Sequence, residues 1–309
     1  MSEYHSPIMV DEVLKGLSVK DKGIYFDGTL GGSSHSYAIL SANPTATLVA
    51  TDKDTEAIEE ATRRLAPFQG RYQIFHSDFK NFKEVFEKAG IKKIDGFLLD
   101  LGISSHQIDD EKRGFAYRLK NAPLDMRMDQ TKALSAKEVV NSYSEEALKH
   151  ILKEYGEERF AANIAKNIVK FRQNKPVETC GELEEIVRSS IPAKLRNPAC
   201  ARQSFQAIRI EVNGELEGLG ECVRGLVDAL KVGGRGCILT FHSLEDRIVK
   251  QTFKDLSTGC TCPKEFPVCV CGRTAKAKLL GRYTASESEI RENSRSKSAK
   301  LRVIEKISE

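Results

Sequence analysis

The chain has no run of roughly 18 apolar residues, so no membrane-spanning helix is expected. The stretch MSEYHSPIMVDEVLKGL lacks a basic start followed by a long apolar run, so no signal peptide is expected and a cytoplasmic location is. Strong charge of one sign is missing too, since 48 Lys and Arg against 44 Asp and Glu leave a net +4. The dinucleotide fingerprint G-x-G-x-x-G is also absent, which removes the usual seat for a pyrophosphate. Eight cysteines without an export signal argue for reduced thiols and against a disulfide framework. The 40% apolar and 30% charged residues that remain describe a soluble globular protein.

At 309 residues the chain is long for one compact domain, so two domains or a large insertion are expected. Apolar runs at 24–29, 47–52, 72–77 and 95–101 predict strands, with helical patterns near 35–41, 55–65 and 79–89 between them. The second helix opens at Asp54 or Thr55. Strand–helix alternation with near-continuous apolar strands implies a parallel sheet covered on both faces. Three helical patterns then fill 142–191, two of them opening with the capping-box spacings Ser142-x-x-Glu145 and Thr179-x-x-Glu182. A helix through Leu216 to Leu230 and a strand from Cys237 to Phe241 restore the α/β rhythm, and strands near 276–283 and 299–306 suit an antiparallel edge. The expected fold is α/β: a doubly wound, Rossmann-like sheet formed by 1–108 and 211–309, with an inserted, mainly helical domain at 109–210.

The stretch FDGTLGGSSHS, residues 26–36, joins the first strand to its helix. Gly31 and Gly32 allow close backbone approach to a ligand there. Asp52 ends the second strand, where a carboxylate can accept both ribose hydroxyls of an adenosine. Asp78-Phe79 follows the third strand and can bracket an adenine, and Asp100-Leu-Gly-Ile-Ser-Ser-His-Gln107 ends the fourth. Ser33, Ser34 and His35 crowd a pyrophosphate but suit a carboxylate, so S-adenosylmethionine fits this turn better than NAD.

These residues resemble the bacterial small-subunit rRNA cytosine-N4 methyltransferases, the RsmH or MraW family, nearly end to end. The matching stretches include HSPIMVDEVLKGL, DGTLGGSSHS, DLGISSHQ, RGFAY, APLDMRMD, RQSFQAIRIEVNGEL, GGRGCILTFHSLEDRIVK and ENSRSKSAKLRVIEK. The resemblance implies the class I methyltransferase form of this fold. It also implies transfer of a methyl group from S-adenosylmethionine to the N4 amine of a cytidine near the decoding centre. The substrate would be small-subunit rRNA or an assembled small subunit. The family's donor contacts carry over to Gly32, Ser33, Ser34, His35, Asp52, Phe79, Asp100 and Gln107. Two positions depart from the family pattern. Gly-Gly-Ser-Ser-His replaces Gly-Gly-Ala-Gly-His, so a positive φ at Ser34 would strain a serine, and His106 replaces a proline.

An exocyclic amine is a poor nucleophile, so the site must align it and accept its N–H hydrogens as charge develops. Main-chain carbonyls and hydroxyls near Ile103–Ser105, with Ser104 and Ser105 foremost, are the expected acceptors, and His242 is the other candidate to touch the base. The target must be single-stranded or flipped out. Residues 191–210 carry four Lys and Arg and no acid, and Arg113, Arg127, Lys194, Arg196, Arg202 and Arg209 are the expected RNA contacts. Met126, Met128, Phe205 and Ile208 are expected to pack the core. Cys260, Cys262, Cys269 and Cys271 form two C-x-C pairs with the ligand count of a structural zinc site. Cys180, Cys200, Cys222 and Cys237 are expected as buried small hydrophobes. An RNA-binding factor that keeps the pocket without turnover is the competing class. An oxidoreductase lacks both the glycines and a nicotinamide-facing motif.

Overall fold

The computed structural model describes residues 7–263, 268 and 270–309. In chain order the elements are α1 (Val10–Leu17), β1 (Ile24–Asp27), α2 (Ser34–Ala42), β2 (Thr47–Asp52), α3 (Thr55–Leu65), β3 (Tyr72–His76), α4 (Phe82–Ala89) and β4 (Ile94–Asp100). A helical series follows: α5 (Ser105–Asp109), α6 (Ala136–Ser142), α7 (Glu145–Glu154), α8 (Ala161–Arg172), α9 (Cys180–Ser190) and α10 (Arg202–Asn213). The chain closes with α11 (Leu219–Ala229), β5 (Leu230–Thr240), α12 (Ser243–Ser257), β6 (Ala277–Thr284), α13 (Glu287–Glu292) and β7 (Lys300–Lys306).

The chain divides into two compact units, one made of Met1–Gly102 with Gly218–Glu309 and the other of Ile103–Glu217. The sequence places these boundaries six residues later and seven residues earlier. The short helix α5 and the end of α10 belong with the helical unit, whereas the sequence pattern assigns them to the α/β part.

In the first unit seven strands form a sheet in the order β3-β2-β1-β4-β5-β7-β6. β1 to β5 run parallel, and β7 joins β5 and β6 antiparallel, as the late strands predict. The chain winds outward from β1 to β3 and then returns to β4 on the other side of β1. The order reverses between β1 and β4, and a crevice opens outside the carboxyl ends of the strands at such a reversal. The central strands are buried on both faces because helices cover both, which is why Phe97, Leu98 and Leu99 of β4 are all apolar. Asp54 caps α3 by accepting from the Glu56 N–H at 3.1 Å. Cys222 and Cys237 are buried in this unit, and burial pushes the Cys222 thiol up to about 12.

The second unit buries its own core, drawn from every helix between α6 and α10 and including Met126, Leu148, Ile164, Leu183, Phe205 and Ile208. Thr179 and Glu182 form the predicted capping box. The other predicted box is displaced. Ser142 ends α6 and its hydroxyl bonds back to the Glu138 carbonyl, so Ser144 caps α7 instead, accepting from the Ala147 N–H at 3.1 Å. Cys180 is buried here and its thiol is likewise pushed up to about 12, whereas Cys200 is only half-buried. No helix among the described residues is long and apolar enough to cross a membrane.

Candidate functional site

Three of the parallel strands end in acids, Asp27 on β1, Asp52 on β2 and Asp100 on β4. Because β1 pairs with both β2 and β4, the three carboxyls come to one edge of the sheet. Asp27 is fully buried and accepts from the Thr29 N–H at 3.1 Å and the Ser36 hydroxyl at 2.6 Å. Asp52 accepts from the Gly31 N–H at 2.7 Å and the Asp54 N–H at 2.9 Å. Asp100 places one oxygen 3.6 Å from Nδ1 of His35, while its Oδ1 is buried without a hydrogen-bond partner.

Burial raises all three carboxyls. Asp52 is pushed up to about 6 by desolvation, against the pull of the Asp54 and Gly31 N–H groups. Asp100 also reaches about 6 by desolvation, with His35 pulling it down and Asp27 pushing it up. Asp27 is raised for the same reason, its partners Ser36 and Thr29 acting in the opposite direction. Among the described residues, the charges that act on them most strongly are those of His35, Asp27, Asp54 and Glu245, none of them a lysine or arginine. Three acids without such a cation make an edge that repels a pyrophosphate and attracts a cation. At 4 Å and an effective dielectric of about 20, one opposite charge is worth about 4 kcal/mol.

The turn between β1 and α2 faces the same edge. Gly31 has φ +47°, and Ser33, rather than Ser34, takes the left-handed conformation with φ 60° and ψ 15°. Ser34 is the first residue of α2 and is unstrained. Left-handed geometry costs a serine about 1–3 kcal/mol. It also prevents Ser33 from capping the helix, so its hydroxyl is fully buried without a hydrogen-bond partner. The first turn of α2 contains no acid, which leaves the positive end of its macrodipole unopposed. Arg64 of α3 fastens the turn from one side, donating to the Gly32 carbonyl at 2.5 Å and the Ser34 hydroxyl at 3.1 Å.

Other expected residues make contacts within the protein. His35 is buried, with Nε2 at 3.0 Å from the Ile8 carbonyl oxygen. Phe79 belongs to the apolar core beside Phe82 and Leu99. Asp78 is held below its ordinary range because the Lys53 ammonium, 2.8 Å away, outweighs the effect of burial. His242 precedes α12, with Nε2 3.0 Å from a Glu245 carboxylate oxygen, yet neither ring nitrogen has hydrogen-bond geometry to a partner. The other Glu245 oxygen accepts from the Phe241 and His242 N–H groups and holds the strand-to-helix turn.

In the helical unit, Ser104 caps α5 and accepts from the Gln107 N–H at 3.1 Å, while the Gln107 side chain accepts from the Ser104 N–H at 3.0 Å. This reciprocal pair fixes the turn at which His106 replaces a proline. It also commits the Gln107 carbonyl oxygen to Ser104.

Three arginines expected at RNA are used internally. Arg113 is 1% exposed and donates to the Arg127 and Met128 carbonyls. Arg127 grips the Asp125 carboxylate and the Gln130 and Lys132 carbonyls. Arg209 makes a two-pronged, largely buried pair with Glu215, both contacts at 2.8 Å. Asn213 completes this arrangement, accepting from the Met128 N–H and donating to the Met126 carbonyl. Gly114 must be glycine, since a Cβ there would collide with the Pro123 carbonyl oxygen and its φ is +68°. The stretches RGFAY, APLDMRMD and RQSFQAIRIEVNGEL thus form one interlocked framework. Lys194, Arg196 and Arg202 are exposed, and the Arg196 guanidinium also donates to the Ile191 carbonyl at 2.9 Å.

Cys260, Cys262 and Cys271 bring their sulfurs within 4.8 Å of one another. The fourth expected ligand, Cys269, lies outside the described residues. Two residues missed from sequence are Asp27 and Arg64. Asp27 carries the same strand-end signal as Asp52, whereas nothing in the spacing ties Arg64 to a turn 30 residues earlier.

The sequence profile of the MraW methylase family matches residues 2–307. A protein of Agathobacter rectalis called ribosomal RNA small subunit methyltransferase H 2 is 50% identical over 307 residues, covering 98% of each chain. The ribosomal RNA small subunit methyltransferase H of a Geobacter species (strain M21) is 50% identical over 309 residues, covering 98% of this chain and 99% of the other. The protein of that name from Clostridioides difficile is 46% identical over 312 residues, covering 99% and 100%.

Proposed function

The chain belongs to the MraW methylase family, and from this we propose that it methylates the N4 amine of a cytidine in the decoding region of small-subunit rRNA, using S-adenosylmethionine. The observation that carries the choice of donor is the edge formed by Asp27, Asp52 and Asp100, three carboxyls at the strand ends whose partners among the described residues are N–H groups, a hydroxyl and His35 rather than a lysine or arginine. Bound S-adenosylmethionine supplies an electrophilic methyl carbon on a sulfonium. Asp52 accepts its ribose hydroxyls, and the unpartnered Oδ1 of Asp100 receives its ammonium. The Ser33 hydroxyl and the N-terminus of α2 take the carboxylate. His35 orients Asp100, Gly32 and Ser34 shape the turn under the hold of Arg64, and Phe79 supports the adenine side from the core. Titrations with S-adenosylmethionine and with NAD test this reading. The first should bind and the second should not, and the reverse order of affinity would reject it.

Ser104 and Ser105, with the main chain from Ile103, accept the hydrogens of the cytidine amine, and Gln107 keeps that turn in shape. His242 contacts the base. The unit Ile103–Glu217 recognises the rRNA, whether free or assembled into a subunit, in the cytoplasm. Its exposed phosphate contacts are Lys194, Arg196 and Arg202. Arg113, Arg127 and Arg209 are less suited to that role, because they are buried or half-buried as well as bonded to the protein's own carbonyls and carboxylates.

Replacing Lys194, Arg196 and Arg202 together with Ala should weaken RNA binding and leave donor affinity unchanged. Each lost phosphate contact lowers the slope of log affinity against log salt by roughly 0.7–0.9. The triple variant should therefore lose about 2 from that slope. An unchanged slope and full RNA affinity would make this stretch ordinary solvated surface.

Ser33→Gly should raise stability by about 1 kcal/mol, because relief of left-handed strain exceeds the entropy cost of glycine. It should also weaken donor binding, because the buried hydroxyl is lost. Urea unfolding and calorimetric titration measure the two effects, and a variant that binds the donor as tightly as the parent removes Ser33 from the site.

A further inference from the structure

We propose that Cys260, Cys262 and Cys271 hold one zinc ion, which pins the segment after α12 to the start of β6. Four zinc-bound thiolates at about 2.3 Å in tetrahedral geometry stand about 3.8 Å apart. The Cys260 and Cys271 sulfurs are 3.7 Å apart, and all three sulfurs lie within 4.8 Å of one another. The Cys262 N–H points at the Cys260 sulfur across 3.4 Å, a contact that favours the thiolate a metal requires. The cluster is open to solvent, with Cys260 and Cys271 exposed and Cys262 half-buried, so an ion can enter. Buried thiols such as Cys222 and Cys237 are shut off from this chemistry.

The surrounding chain explains what the ion would stabilise. The Lys276 N–H donates to the Leu256 carbonyl at 2.9 Å, and the Arg273 guanidinium donates to the Asp255 carbonyl at 2.9 Å. These bonds already close the base of the segment between α12 and β6. The thiols lie beyond that closure, and a metal held there would join the two sides of the segment a second time. The cluster belongs to the α/β unit, and no step of the methyl transfer passes through it.

The test uses the full chain, purified reduced and without chelators or metal-affinity resin. Elemental analysis should find about one zinc per chain, and replacement by cobalt(II) should give the visible bands of a tetrahedral thiolate complex. Cys260→Ser, Cys262→Ser and Cys271→Ser should each reduce retained zinc to less than about a tenth of an equivalent, while Cys200→Ser keeps it. S-adenosylmethionine affinity should remain unchanged in all four, so loss of zinc can be told from a failure of the donor site. Stripping zinc from the wild-type chain should lower its melting temperature and leave the melting temperature of Cys271→Ser unmoved. Three results overturn the proposal: a metal-free wild-type chain without a cobalt spectrum, zinc that survives Cys260→Ser with Cys271→Ser, or a Cys260–Cys271 disulfide in freshly purified protein.

Discussion

Replacing Asp52 with Ala should weaken S-adenosylmethionine binding between about tenfold and about 150-fold while the protein stays folded. A hydrogen bond to a charged group contributes roughly 1.5–3 kcal/mol, and Asp52 is read as accepting both ribose hydroxyls. The same carboxylate also accepts the Gly31 and Asp54 N–H groups. The substitution therefore loosens the donor turn as well as removing the ribose contact. Leaving those two donors without an acceptor costs about 1–3 kcal/mol each if water does not replace it, within a typical stability of roughly 5–15 kcal/mol. Asp52→Asn retains an acceptor oxygen and should lose less affinity than Asp52→Ala. Calorimetric titration, with circular dichroism as the check on folding, separates these outcomes. Unchanged affinity in a folded Asp52→Ala protein would remove the ribose assignment.

Donor binding should fall steeply below pH 6. Desolvation raises Asp52 and Asp100 from an ordinary value near 3.8 to about 6. Near pH 7.5 both are ionised and ready to accept hydroxyl and ammonium hydrogens. At pH 5 the free protein holds protons on both, and binding must expel them. If each must ionise, affinity falls about fivefold for each group between pH 6 and pH 5, or about thirtyfold for the two together. Stability of the ligand-free protein runs the other way. A carboxyl whose folded pKa is raised favours folding most below its unfolded pKa, and that contribution is lost as the pH rises from about 4 through about 6. S-adenosylmethionine should therefore raise the melting temperature more at pH 7.5 than at pH 5. An equal shift at both values would mean that neither carboxyl must ionise to bind.

The strand ends were legible because a doubly wound sheet places its ligand there whatever the ligand is. Asp52 and Asp100 follow from that rule, and β2 and α3 were read to the residue, since a buried apolar run and an Asp cap are both local signals. The left-handed residue is Ser33, one before the Ser34 at which the departure from the family pattern raises the question of strain. The sequence shows two serines, but only the closure of the turn onto Asp52 and Arg64 selects Ser33 to bear the strain.

Basic residues were the least legible. Charge is visible in a sequence and its partner is not, so Arg113, Arg127 and Arg209 looked like phosphate contacts. Arg209 meets Glu215 only because α10 ends at Asn213 and the chain turns back through Gly214. Arg113 is buried because Gly114 lets its strand of chain press against Pro123. Lys194, Arg196 and Arg202 remain exposed because the segment that carries them lies largely outside the helical core.

Transfer of label from S-adenosylmethionine to rRNA tests the central claim most directly. The full chain is incubated with methyl-labelled donor and small ribosomal subunits lacking the modification, and the labelled nucleotide is then mapped by nuclease digestion and mass spectrometry. One labelled cytidine in the decoding region is expected, with the methyl group on N4, and label much reduced in Asp52→Ala. Label on another base, on another atom of the cytidine, or none despite tight donor binding would contradict it.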